Sequence, residues 1–154
     1  MRRYGLGPLE AGLGLSLFWA AMLVGRAAQG PLAWRLPLGT LIPVEMGVFA
    51  LAIVAMAAAP SPGLLYLALV VGGLAAAGAY PNTLLYVGRR YPRQAGTTMA
   101  LLSMAGGVGS LLLQPVVGRI GQAWGLGVGF ASLAVVVVLA AIALLAVWRK
   151  RAHE

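Results

Sequence analysis

At 154 residues, 61% hydrophobic and 9% charged, with no cysteine, the chain leaves no room for a separate soluble domain, a disulfide framework or a thiol metal site. Its net charge of +8 points first to nucleic acid, but eight of the eleven basic residues form three clusters: Arg26/Arg35, Arg89/Arg90/Arg93 and Arg149/Lys150/Arg151. Each cluster abuts an apolar run, which is how membrane topology is written, so nucleic acid is excluded as a partner.

The first predicted span covers residues 9–25. Only fifteen uncharged residues separate Glu10 from Arg26, about 22 Å of helix against a hydrocarbon core of about 30 Å. The helix is therefore expected to start near Pro8, with Glu10 close to the interface, an arrangement unlike a cleavable signal peptide. Residues 26–37, rich in Gly, Pro and Arg, read as a loop. The second span, 38–58, is interrupted only by Glu45. From Met46 to Gly88 there are forty-three positions without a charge, broken once by Ala59-Pro60-Ser61-Pro62-Gly63. At roughly 20 residues per crossing, that run is two spans joined by a turn, and the third span is 64–87. Residues 88–96 form the most basic loop. The fourth span, 97–118, has glycines in its middle and Pro115 near its end, and the fifth, 126–148, is almost purely aliphatic. The expected fold is an all-α integral membrane protein: one transmembrane domain over residues 1–154, with the lipid bilayer as its solvent. Alternating basic and charge-free loops make it a multi-pass protein of the cell membrane with a cytoplasmic C-terminus. Arg2 and Arg3 then fall outside, a misfit that implies either a helix upstream or a poorly inserting first span.

The fourth span reads Ser103-Met104-Ala105-Gly106-Gly107-Val108-Gly109-Ser110, with small residues four apart on adjoining faces. Such stripes let two helix backbones approach closely in lipid. The third span repeats the device with Gly73/Ala77, Gly72 and Gly78. Tight packing is the preferred reading; a surface that slides during gating is the other. Pro81 removes one helical donor and frees the carbonyl of Ala77. Tyr80, Asn82 and Thr83 around it either satisfy that opened backbone or form a solute site at a broken helix. Tyr80 and Asn82 are the leading solute-binding candidates, with Trp19 and Ser103 expected at similar depth. Glu45 is the one carboxylate well inside the apolar runs. It either pairs with Arg26 or Arg35, the preferred reading, or couples transport to an ion. Trp34, Tyr91 and Trp148, with Tyr66 and Trp124 at the opposite ends, form an aromatic belt. Val24-Gly25-Arg26-x-x-Gln29 recurs as Val117-Gly118-Arg119-x-x-Gln122, a faint internal echo. No nucleotide loop, metal cluster or catalytic triad is present in the sequence, so no enzyme activity, metal or cofactor is expected.

Leu15-Ser16-Leu17-Phe18-Trp19, running through Gly25-Arg26 to Gly30-Pro31-Leu32-Ala33-Trp34-Arg35, resembles the eighth helix and following loop of a major facilitator superfamily transporter. The flavour is that of the fucose-permease-like branch. Gly78-Ala79-Tyr80-Pro81-Asn82 resembles that family's tenth helix, and Gly106-Gly107-x-Gly109, Pro115 and Gly118 resemble its eleventh. Gly88-Arg89-Arg90-Tyr91-Pro92 fits the basic loop between them. The resemblance covers nearly the whole chain. It implies part of a six-helix half, helices eight to twelve of twelve, with helix seven and an N-terminal half as missing partners. It also implies that Gly25, Arg26, Gly30 and Arg35 belong to a gating loop, although Trp34 stands where the family's motif has aspartate. The eighth, tenth and eleventh helices would line a solute cavity between the halves, with the ninth and twelfth toward lipid. The function so implied is a piece of a secondary transporter, inactive alone, that moves a small polar solute by alternating access. The competing reading is a small membrane protein that transports nothing, either an interaction subunit or an inert truncated product.

Overall fold

The computed structural model describes Gly5 and residues 7–151. These form five helices and a short 3-10 turn: α1 (Pro8–Arg35), α2 (Leu38–Ala58), α3 (Pro62–Arg90), the turn Pro92–Gln94, α4 (Ala95–Trp124) and α5 (Leu126–Arg151). All five contain a stretch long and apolar enough to cross a membrane, and no strand occurs among the described residues. A helix bonds its own backbone groups internally, as a lipid-spanning segment must. Arg2 and Arg3 lie outside the described residues.

Helix boundaries follow local chemistry. Pro8 stands at the first turn of α1, and the Glu10 carboxylate accepts from the Gly7 N–H at 2.8 Å, satisfying an end donor. Ser61 caps α3, its hydroxyl accepting from the Leu64 N–H at 3.4 Å, with Pro62 behind it. Gly125 ends α4 with φ +93°, a left-handed conformation that glycine adopts without strain. This one residue replaces the longer loop expected after Arg119.

The largest departure from the sequence reading is in α1. The segment 26–37, expected as a loop, continues the helix to Arg35, with Pro31 inside it. A break in apolarity does not by itself end a helix, and the backbone ladder runs on through Arg26 and Gly30. Gly25, Arg26 and Gly30 are therefore helical positions, and only Leu36 and Pro37 connect α1 to α2.

Helix α3 is the hub, in contact with α1, α2 and α4, while α5 packs against α2 and α4. The α1–α3 approach is set by glycine. A β-carbon added at Gly25 would lie 2.6 Å from Ala77 Cβ and 3.0 Å from the Leu74 carbonyl oxygen. One added at Gly73 would fall on the Phe18 carbonyl oxygen and 3.0 Å from Ala21 Cβ. Behind α3, Ala52, Met56 and Ala68 form one apolar cluster, and Ala33, Leu38, Leu41 and Ile42 form another near the α1–α2 turn. Lipid tails are as apolar as these side chains, so close van der Waals contact, not exclusion from water, holds the helices together.

Helix α4 differs: none of its residues is buried. Gly107, Gly109 and Gly118 have no neighbouring atom within 4 Å of an added β-carbon, and Gly106 reaches only Tyr80, at 4.0 Å. The expectation that this glycine cluster packs inside the bundle is corrected here. What α4 presents to α5 is its C-terminal end, where Gly129 approaches Gly121 and the Val117 carbonyl.

Candidate functional site

Three helices meet at a buried polar knot. Glu45 on α2 is 6% exposed and Asn82 on α3 is 3% exposed, the two buried polar or charged side chains of the described core. The Asn82 amide donates to both Glu45 oxygens, at 3.2 and 3.1 Å, and to Gln29 Oε1 on α1 at 2.8 Å. One amide hydrogen thus serves the carboxylate and the other serves the glutamine, which matches the donor capacity of a carboxamide. Gly78, one turn before Asn82, makes the space. A β-carbon there would collide with Glu45 Oε1 and with the Gln29 carboxamide. Polar groups withdrawn from both water and lipid need partners in this way.

This knot corrects the expected pairing of Glu45 with Arg26 or Arg35. Among the described residues no arginine or lysine lies within ion-pairing distance of Glu45; its partner is the amide of Asn82. The reason lies in α1: once the helix runs to Arg35, Gln29 occupies the level and face that a loop arginine was expected to fill.

Tyr80 and Asn82 leave Pro81 in opposite directions. Asn82 turns inward to the knot. Tyr80 is half exposed, and its hydroxyl donates to Ser103 Oγ on α4 at 2.7 Å; Ser103 in turn donates to the Met99 carbonyl at 2.9 Å. Neither side chain caps the proline-opened ladder. Thr83 bonds back into the helix, to the Ala79 carbonyl at 2.6 Å.

Arg26, Gln29, Tyr80, Pro81 and Leu84 line an open groove of about 340 Å³ between α1 and α3. A neighbouring hollow of about 180 Å³, lined by Trp19, Met22, Leu23 and Arg26, continues it along α1. Trp19 is 57% exposed and stands edge-on to Phe18, with ring centroids 5.9 Å apart. The structure thus brings Tyr80 and Ser103 together beside the groove, whereas Trp19, next to Phe18 at the level of Gly73, stands about 10 Å further along α1, in the neighbouring hollow. Asn82 and Glu45 lie directly behind the groove, joined to it by Gln29. Of the gating-loop candidates, Arg26 lines the groove, Gly25 packs on α3, Gly30 faces open space and Arg35 closes α1.

Neither Gln29 nor Gly78 was assigned to a polar site from the sequence: Gly78 was read as part of a packing stripe and Gln29 only as part of the internal echo. The signal for Gln29 was its place one turn after Arg26, readable only if the helix is carried past Gly30. Gly78 is four residues before Asn82, where a missing side chain frees room for the amide's partners. The internal echo does not extend to environment: Gln29 joins the knot, whereas Gln122 is exposed.

The profile of the Major Facilitator Superfamily matches the chain over residues 1–154. The chain belongs to the Major Facilitator Superfamily. No curated protein and no solved structure matches it. This major facilitator chain is a multi-pass membrane protein of transporter type, with Arg26, Gln29, Tyr80 and Ser103 beside the groove and Glu45 and Asn82 in the knot behind it.

Proposed function

We propose that the chain forms one wall of a secondary transporter that carries a small polar solute by alternating access. The observation that carries this reading is the groove. Arg26, Gln29 and Tyr80 line it from two membrane-spanning helices, and no other described helix lines it. Polar side chains in a bilayer face protein or water, so this face calls for a second helical bundle and an aqueous space between the two. Rocking of one bundle against another is the physical basis of alternating access. In the family's terms α1 to α5 are helices eight to twelve, of the fucose-permease-like branch, and α2 and α5 are the lipid-side helices. Tyr80, Trp19 and Ser103 are the solute-facing residues. Asn82 acts through Gln29, and Glu45 is the ion-coupling candidate, one side chain removed from the groove. The protein sits in the cell membrane with its C-terminus in the cytoplasm.

One wall does not make a two-sided path, so the purified chain in liposomes is expected to give no saturable uptake of sugars, polyols or organic acids. Saturable uptake by the chain alone would overturn the assignment of a single wall. A reporter fused after Glu154 is expected to be active only when it requires the cytoplasm; activity confined to the other side would reverse the orientation.

A further inference from the structure

We infer that the groove selects an organic anion, a small hydroxylated carboxylate, and that Arg26 is the residue that binds its charge. This rests on the reading of the groove as a solute-facing wall. Arg26 lies nine positions before Arg35 in α1, about 14 Å of helix, so its backbone lies inside the candidate span and one turn further from that end than Gln29 and the knot. A guanidinium at that depth requires a counter-charge or a water-filled cavity. The described carboxylates are both engaged elsewhere: Glu10 with the Gly7 N–H at the far end of α1, Glu45 with Asn82. Arg26 makes no hydrogen bond or ion pair with any described residue, and it lines both parts of the groove. Its planar fork of five N–H donors is thus left facing an open space suited to bidentate recognition of a carboxylate. The Tyr80 hydroxyl and the Gln29 carboxamide beside it can meet hydroxyl groups, and the Trp19 face can cover a carbon chain.

The test uses the chain in lipid nanodiscs and two probes differing at one carbon, gluconate and sorbitol. Gluconate is expected to bind about tenfold more tightly or better. Arg26→Gln should abolish that preference while sorbitol binding persists. Arg26→Lys, which keeps the cation, and Arg35→Gln, which lowers the overall charge outside the groove, should retain it. In the unmutated chain, gluconate but not sorbitol should protect Arg26 from phenylglyoxal, read by peptide mass spectrometry, with Arg35 modified in either case. This second measurement stands even if Arg26→Gln fails to fold. Equal binding of both probes would overturn the anion assignment and leave the solute wall standing. Binding of neither would overturn both. A gluconate preference unchanged in Arg26→Gln, or equally lost in Arg35→Gln, or absence of protection at Arg26, would remove Arg26 from the site.

Discussion

Helices α3 and α4 are nearly equal in length, 29 and 30 residues, and both carry several glycines and one internal proline. In α3 the three central glycines are buried under α1 and α2: Gly73 against the Phe18 backbone, Gly72 against Met56, Gly78 against the polar knot. In α4 the central glycines touch nothing closer than the edge of Tyr80. The same small-residue stripe therefore has two meanings. Where neighbours surround the helix, absence of side chains is what lets backbones meet. Where one side is uncovered, it leaves a smooth exposed face. Two helices of one bundle are a core and a wall.

That contrast can be broken by substitution, with stability followed by unfolding in mixed micelles. The largest effect is expected for Gly73→Leu, which drives a branched side chain into the α1 backbone. It should cost about 3 kcal/mol, the upper range of overpacking, and loosen α1 from α3. Asn82→Ala leaves the Glu45 carboxylate buried without its donor and should cost about 1–3 kcal/mol. Gly78→Ala displaces Glu45 and Gln29 from the same knot, so the pair Gly78→Ala/Asn82→Ala should cost clearly less than the sum of the two. Additive losses would show that Gly78 and the knot are independent. Tyr80→Phe removes an exposed bond to Ser103 and should cost about 0.5–1.5 kcal/mol, with α4 held mainly through α5. Gly107→Ala should change stability by no more than about 0.5 kcal/mol. A loss at Gly107 comparable to that at Gly73 would mean that α4 is packed after all, and the core-and-wall distinction would fail.

Much of this was legible in the residues. Five apolar runs, their order and the basic ends follow from the cost of charge in lipid, and the turn at Ala59–Gly63 is written in Pro and Gly. The wall was legible only in part. Tyr80 and Ser103 meet, but the similar depth expected for Trp19 fails: its neighbour Phe18 is level with Gly73, about two turns of α3 from Tyr80. Asn82 does not join them, because consecutive helical positions point about 100° apart and residues two apart cannot both face one groove. The end of α1 was hidden by Gly30, Pro31 and Arg35, whose types favour a loop, while Ala33 between them is buried against Leu38, Leu41 and Ile42. With that boundary misplaced, Gln29 and the depth of Arg26 could not be read. Glu45's partner depended on the same residue, so one boundary accounts for both corrections.

Water access to the α1–α3–α4 face tests the central claim most directly. The chain has no native cysteine, so single cysteines can be placed at Leu84, in the groove, and at Leu139, on the outward side of α5. In sealed membranes a polar, charged thiol reagent should modify Leu84→Cys readily and leave Leu139→Cys untouched until the bilayer is dissolved in denaturing detergent. Equal protection of both positions would mean that the groove faces lipid, and the chain would then be no wall of a solute path.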